Sequence, residues 1–468
     1  MANNSSPDYK ELFLQEEQKR RQAEERVRQI EERTRQTTFV EFIRHCHTLL
    51  SRPLKVLSPS RSTTGTISLP KGKHCPTRLR PWTDCIPQQQ AIYNSVCNYL
   101  QSAKAAPQLF PPLIALQELA RRFALRPISS EQDLETYERI AVEDHVRDVI
   151  SELCKIPAAR EEFMLGDGIW FDNHVKALTE TRDEADAINQ SKIRCPRPDQ
   201  FCIHRVDGNT NTLLLTVEYK PPYKLSVENL RAGLRPMDLW EEVVKRNTIP
   251  TDPVEKLQYN AELLSTSALV QTYDVMIEEG RAYAILTNGL ARVLLYVPCD
   301  NPTTLYYHLC EPNREVVDYE QSLQQTSIAR MLCICLMSFR SPTRNQEWRN
   351  FARSQTRDWV TSFNQTRPWL PKEEVQKSPF LSDESISSPE LSSSNYQLSS
   401  SPLKSPTAGR RIRTRSQDSC APLNIQKRTP SPDSLGSDSS QSMGHERGFS
   451  QVALSSPSAQ RAARQQPK

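Results

Sequence analysis

The sequence predicts an α/β fold, and three observations carry that expectation. Two β-prone stretches, 199–206 and 212–220, flank Asp207-Gly208-Asn209, and two more, 282–287 and 292–297, flank Asn288-Gly289. Asp-Gly and Asn-Gly between such runs are the strongest short-range hairpin signals a sequence carries. Helical periodicity precedes, separates and follows these hairpins, at 134–153, 265–279 and 322–339. The order is helix, strands, helix, strands, helix, within one compact region from about 85 to 370 of the 468 residues.

Taken in order, residues 8–37 read as a long charged helix in which Glu alternates with Lys and Arg. A 4,3 spacing runs through Tyr9, Phe13, Glu16, Arg20, Ala23, Val27 and Ile30, with Glu16 and Arg20 interrupting the seam. Both a coiled coil that self-associates and a single solvated helix held by Glu-to-Lys/Arg pairs fit this pattern. Residues 38–50 continue as an amphipathic helix, with Phe39, Phe42, Ile43, Cys46, Leu49 and Leu50 on one side. The segment 51–84 is rich in Pro, Ser, Thr and basic residues and reads as a linker. Trp82 at its end could stack on a base or pack on the domain together with Leu79. Helices are expected at 88–103 and 111–124.

Residues 134–153 form the first helix of the compact region, with Ile140, Val142, Val146, Val149, Ile150 and Leu153 as its apolar stripe. Glu143 lies at the border of that stripe, where a carboxylate needs a partner or a metal, because burying one alone is costly. Arg139 and Arg147 are the ordinary partners for it. A strand follows at 168–171, then the first hairpin. A helix starts near 224–234, and 236–260 reads as an insertion with one amphipathic piece at 237–244. Gly280 ends the helix at 265–279. The second hairpin, a strand at 304–310 and the helix at 322–339 complete the region.

Composition narrows the function. Net charge is +4 with 25% charged residues, so any basic surface must be local. Gly is only 12 residues, and neither GxGxxG nor GxxxxGK[ST] occurs, which argues against dinucleotide and P-loop phosphate cradles. The 12 cysteines include no CxxC. Cys333 and Cys335 lie in an apolar run and read as buried thiols, and Cys46 between His45 and His47 reads as incidental. The N-terminus is polar, and no apolar stretch approaches the roughly 20 residues needed to span a bilayer. These features point to an intracellular, reduced protein with no membrane segment.

The chemistry-bearing pattern lies on the first hairpin. With the turn centred between Gly208 and Asn209, residues whose numbers sum to 417 face each other, so Asp199 stands opposite Glu218. Lys220 is two residues further along and shares the face of Glu218. Two carboxylates and an ammonium gathered in this way can hold a hard divalent cation and activate a water beside a phosphate. A one-residue slip would break the arrangement. Otherwise the trio is an exposed ion pair, worth roughly 0 to 1 kcal/mol. Lys224 is either a phosphate contact or a surface lysine.

Pro198-Asp199 and Glu218-Tyr219-Lys220 resemble the signature of the PD-(D/E)xK phosphodiesterase superfamily of nucleases. The resemblance implies a restriction-endonuclease-like α-β-β-β-α-β core, which the order of elements matches. It also implies catalysis by Asp199, Glu218 and Lys220 with Mg²⁺ or Mn²⁺ as cofactor. Members often place a Glu of the first helix beside the metal, which makes Glu143 the candidate third ligand. Some carry a Gln on the helix after the motif strand, often as Gln-xxx-Tyr. Gln271-Thr272-Tyr273 departs from that spacing, so Gln271 is at most an accessory residue. The whole layout is also similar to proteins of filamentous fungi that share the charged helix, a Cys75-to-Trp82 loop and a Glu-Tyr-Lys-Pro-Pro strand end. That likeness covers roughly residues 10–310 and implies a fold without an activity.

Beyond residue 371 the chain holds 24 serines and three aromatics, too little apolar surface to fold, and reads as disordered. Its Ser-Pro and Thr-Pro steps suit proline-directed kinases. The basic clusters 410–415 and 427–428 resemble a nuclear import signal or a nucleic-acid-binding patch. Two functions follow from these features. One is a metal-dependent phosphodiesterase acting on nucleic acid. The other is a non-catalytic nuclear interaction or scaffold protein on a degenerate nuclease-like domain, using residues 8–37 for partners.

Overall fold

The computed structural model describes residues 9–62, 67–101, 106–173, 198–208, 210–246, 248–319 and 321–360. The expectations for the Ser-Pro steps and basic clusters past 371 lie outside the described residues, as do 361–370 and Asn209 of the turn.

Helix α1 (Tyr9–Thr34) buries none of its residues. Pairs one turn apart, such as Glu17 with Arg21 at 2.6 Å, line its surface, each worth a few tenths of a kcal/mol. Helix α2 (Phe39–Cys46) opens on a capping box between Thr38 and Glu41 and buries Phe39, Phe42, Ile43 and Cys46. Helices α3 (Cys85–Leu100) and α4 (Leu113–Ala124) follow. Next come α5 (Glu131–Glu138) and α6 (Asp144–Cys154), joined by a π turn over Arg139–Glu143, then α7 (Pro157–Phe163).

The strands are β1 (His74–Cys75), β2 (Arg78–Pro81), β3 (Gly168–Asp172), β4 (Gln200–Arg205), β5 (Asn211–Tyr219), β6 (Tyr283–Thr287), β7 (Arg292–Tyr296), β8 (Thr304–Cys310) and β9 (Arg357–Asp358). Between and after them lie α8 (Val227–Gly233), α9 (Pro253–Glu279), α10 (Pro312–Glu315), α11 (Ser327–Phe339) and α12 (Gln346–Gln355). Seven strands form one mixed sheet in the order β2-β8-β7-β6-β5-β4-β3, while β1 pairs with β9 alone. Within the large sheet β5 runs parallel to β6 and β2 parallel to β8, and the other pairs are antiparallel.

Alternation along the strands sorts their side chains onto two faces. Leu215, Val217, Tyr219, Ile285 and Leu294 join the core built with α2, α3, α6 and α11. Ala284, Leu286, Val293 and Leu295 join the core built with α9. The fold is thus a mixed α/β sheet with a helical layer on each side.

Three details differ from the sequence reading, while Trp82 takes the second of its two expected places, packed on the domain. The expected linker 51–84 supplies the edge strand β2, whose Leu79 pairs with Leu305 and is fully buried. Trp82 stacks on Tyr296 and Tyr283 inside the protein, so its ring packs on the domain. Helix α9 begins at Pro253, twelve residues earlier than its apolar period shows, because its first turns are exposed and carry only the isolated apolar residues Val254 and Leu257. Asp252, accepting from the Val254 and Glu255 amides, and Pro253 in the first turn are the start signals there. The helix expected at 134–153 starts at Glu131 and contains the π turn. That turn leaves Ile140 exposed and Glu143 buried, the reverse of the stripe read from an α-helical period.

Candidate active site

The β4–β5 hairpin reaches the expected register by an unexpected route. Near the turn the pairs are Arg205 with Asn211, His204 with Thr212 and Ile203 with Leu213, one step away from the assumed register. A bulge then leaves Leu214 unpaired, and Cys202 faces Leu215, Phe201 faces Thr216 and Gln200 faces Val217. Extending that register by one pair places Asp199 opposite Glu218. Without the extra residue Asp199 would stand one position out of step.

At the open end the trio converges. Lys220 Nζ lies 2.5 Å from a Glu218 carboxylate oxygen and 3.7 Å from an Asp199 oxygen. The Tyr219 backbone N–H donates to Asp199 at 2.8 Å, and the Lys220 N–H donates to the Thr287 carbonyl at 2.9 Å. Glu218 and Lys220 are buried and Asp199 is partly so. Burial and the neighbouring Glu218 charge push the Asp199 carboxyl up to about 7, against the opposing pull of Lys220 and the Tyr219 amide. Burial works against the Lys220 ammonium, but the Glu218 and Asp199 carboxylates outweigh it and hold Lys220 above its ordinary value. One buried and one partly buried carboxylate facing one ammonium are short of positive charge.

That donor set fits a hard divalent cation held in the manner usual for Mg²⁺, through one or two carboxylates with water and substrate phosphate supplying the rest. Among the described residues no group of three His, Cys, Asp or Glu side chains is gathered closely enough to form a closed metal cage.

The other candidates lie elsewhere. Glu143 is buried on the opposite face of the sheet, where one carboxylate oxygen accepts from the Tyr219 hydroxyl and the other from Gln200 Nε2 at 3.0 Å. Tyr219 alternates with Glu218 and Lys220, and Gln200 with Asp199, so Glu143 reaches these strands from behind the trio. Burial raises its carboxyl to about 8, although the Tyr219 and Gln200 hydrogen bonds pull it down. Gln271 donates to the Ser68 carbonyl at 2.8 Å. Lys224 pairs with Glu131 at 2.9 Å. Glu131, in the first turn of α5, is near enough for its charge to act on both Asp199 and Lys220. The sequence reading passed over Glu131 because it began the helix at Leu134. Ser130 with Asp133 was the start signal, since the Ser130 hydroxyl accepts from the Asp133 amide. Cys333, Cys335 and Cys46 are buried among apolar side chains, and burial holds the Cys46 thiol far above its usual range.

The geometry defines an α/β domain with a carboxylate–carboxylate–lysine cluster at a strand end, and comparison with known proteins gives its kinship. The chain belongs to the Spore killer 2 N-terminal domain family, whose model matches residues 38–195 and 186–359. It is similar to the meiotic driver SPOK2 of Podospora anserina, with 26% identity over 424 residues. The match takes in 83% of this chain and 53% of SPOK2, so the chain spans about half the length of that relative. No solved structure matches the chain.

Proposed function

We propose that this domain is a metal-dependent phosphodiesterase acting on nucleic acid. Asp199 and Glu218 hold Mg²⁺ or Mn²⁺, and Lys220 orients the attacking water or meets the charge on the phosphate. The observation that supports this reading is the convergence of the three side chains on one sheet face, with Lys220 Nζ between the two carboxylates. The succession α6, β3, β4, β5, α9, then β6 parallel to β5, supports a restriction-endonuclease-like core. When bound, the ion supplies a Lewis acid and a water of lowered pKa. The Tyr219 amide fixes one ligand, Asp199, by donating to its carboxylate. Kinship with a meiotic driver makes meiotic drive the proposed setting, and the nucleus the proposed compartment.

One observation favours the second reading, a non-catalytic nuclear interaction protein. Helix α1 leaves Tyr9, Phe13, Val27 and Ile30 exposed along one seam, available to a partner or a second copy. The tail's Ser-Pro steps would then be sites for proline-directed kinases.

The experiment is calorimetric titration of the full chain with Mg²⁺ and with Mn²⁺, followed by cleavage assays on labelled single- and double-stranded DNA and RNA. The phosphodiesterase reading expects ion binding and cleavage, both lost in Asp199→Ala/Glu218→Ala. Absence of ion binding in the wild type, even with an oligonucleotide present, would favour the scaffold reading.

A further inference from the structure

In a regular α-helix, residues five apart point about 140° away from each other. The π turn between α5 and α6 closes Arg139 C=O to Asp144 N–H, five residues on, and this wider winding brings Glu138 and Glu143 onto one face. Both are almost fully buried against the sheet.

Each carboxylate ties two strands together. Glu143 accepts from Gln200 of β4 and Tyr219 of β5. Gln200 adjoins Asp199, and Tyr219 lies between Glu218 and Lys220. The Oε1 of Gln200 has no hydrogen-bond partner among the described residues, so Glu143 alone orients that amide. Glu138 accepts from Arg292 of β7 at 2.8 and 3.1 Å and from the Thr287 hydroxyl of β6 at 2.9 Å. The backbone carbonyl of Thr287 in turn accepts the Lys220 amide. One π turn thus grips, from behind, the strands that carry the trio and the strand end on which Lys220 is hung.

We propose that Glu143 is a positioning residue that locks the two arms of the catalytic hairpin from the rear face of the sheet, rather than a metal ligand. This rests on the phosphodiesterase reading for its effect on rate. Sealing the core alone does not require a carboxylate, because burying one is costly where an apolar side chain would serve. A carboxylate supplies two acceptors at a fixed separation, one for each arm. Without it the arms are free to shift relative to each other, and a displacement of about 1 Å at reacting groups can cost on the order of 10²-fold in rate.

The test uses the full chain and three variants: Tyr219→Phe, Glu143→Gln, and the swap Glu143→Gln/Gln200→Glu, which returns a carboxylate–amide pair with the roles exchanged. Three readouts are taken: oligonucleotide cleavage with Mn²⁺, Mn²⁺ affinity, and hydrogen–deuterium exchange. The single variants are expected to lower kcat by roughly 10- to 100-fold with KM unchanged. They should also speed exchange in 199–205 and 214–220 while 292–310 stays as in the wild type. The swap should recover most of the rate. Wild-type kcat in both single variants would overturn the proposal. So would loss of Mn²⁺ binding in Glu143→Gln but not in Tyr219→Phe, which marks a ligand. If the wild type binds no ion and cleaves nothing, the phosphodiesterase reading falls, and exchange alone then decides the brace. Faster exchange confined to the hairpin arms supports it, and unchanged exchange overturns it.

Discussion

The Tyr219 amide donates to the Asp199 carboxylate at 2.8 Å, joining the two arms of the β4–β5 hairpin where its charged side chains meet. The bond fixes Asp199 beside Glu218 although both carry the same charge, and Lys220 stands between them. Burial and the Glu218 charge disfavour ionisation of Asp199, and the Lys220 ammonium offsets only part of that effect. The sheet therefore holds Asp199 where its own carboxyl resists ionisation.

Removing one of the two like charges should separate activity from stability. If the phosphodiesterase reading holds, Asp199→Asn and Glu218→Gln abolish cleavage, while Asp199→Asn, which relieves a partly buried carboxyl pushed up to about 7, leaves the denaturant midpoint equal to or above that of the wild type. Lys220→Met is expected to slow cleavage by about 10²- to 10⁴-fold, the range typical for one positioned catalytic group. Cleavage rates and urea unfolding of the same preparations check both halves.

Glu138 and Arg292 behave in the opposite way. Each is about 1% exposed and the pair is closed at 2.8 Å, while Arg292 Nε and Nη1 have no partner among the described residues. Breaking such a pair strands a charge in the core. Arg292→Met alone should cost about 3–5 kcal/mol, and Glu138→Gln alone a comparable amount. Replacing both with apolar residues, Glu138→Leu/Arg292→Met, should cost less than either single change. Denaturant unfolding of the three variants tests the order.

Residue type and local signals made the hairpin, its facing carboxylates and the terminating Gly280 readable from sequence. The register near Asp199 came out right through two compensating departures. The turn sits one step from its assumed centre, and the unpaired Leu214 restores the phase. A bulge among β-prone leucines leaves no mark in composition. The position of Glu143 was not legible, because an α-helical period places it at the edge of the apolar stripe and the π turn carries it inward. Nor was β2, whose four residues, Arg78, Leu79, Arg80 and Pro81, show no β-prone run and become a strand only by pairing with β8 far along the chain.

The β1–β9 strap should be sensitive to pH. His74 Nε2 lies 3.1 Å from Glu278. Thr356, Asp358, Asp274 and Lys73 stand around it, and Arg353 also pairs with Glu278. The Glu278 hydrogen bond raises the His74 pKa against the effect of burial. A raised pKa means His74 stabilises fully below its unfolded value, about 6.5, and loses that contribution as pH rises through the folded value. For Glu278 burial raises the pKa, but the bonds from His74 and Arg353 prevail and depress it to about 2. Its contribution is present above roughly 4.3 and fades as pH falls towards the folded value. The strap should therefore be firmest between about pH 4.3 and 6.5. The wild-type melting temperature should fall relative to that of His74→Gln as pH is raised from 6 to 8, and the two curves should converge at the alkaline end.

Helix α1 should be dispensable to the body it precedes. None of its residues is buried, and it meets α4 near its end, where Arg33 donates to Gln117 at 2.8 Å. The folding of the sheet and its helices draws nothing from the earlier turns, because stability there comes from buried apolar surface. Removing residues 1–30 should leave the urea midpoint and the ion affinity unchanged, and cleavage as well if the phosphodiesterase reading holds. What the deletion should change is association. If Tyr9, Phe13, Val27 and Ile30 form a seam with a second copy, sedimentation will show the full chain heavier than a monomer and the truncated chain monomeric. A full chain that sediments as a monomer at all concentrations would leave the seam to a different partner and rule out self-association through it.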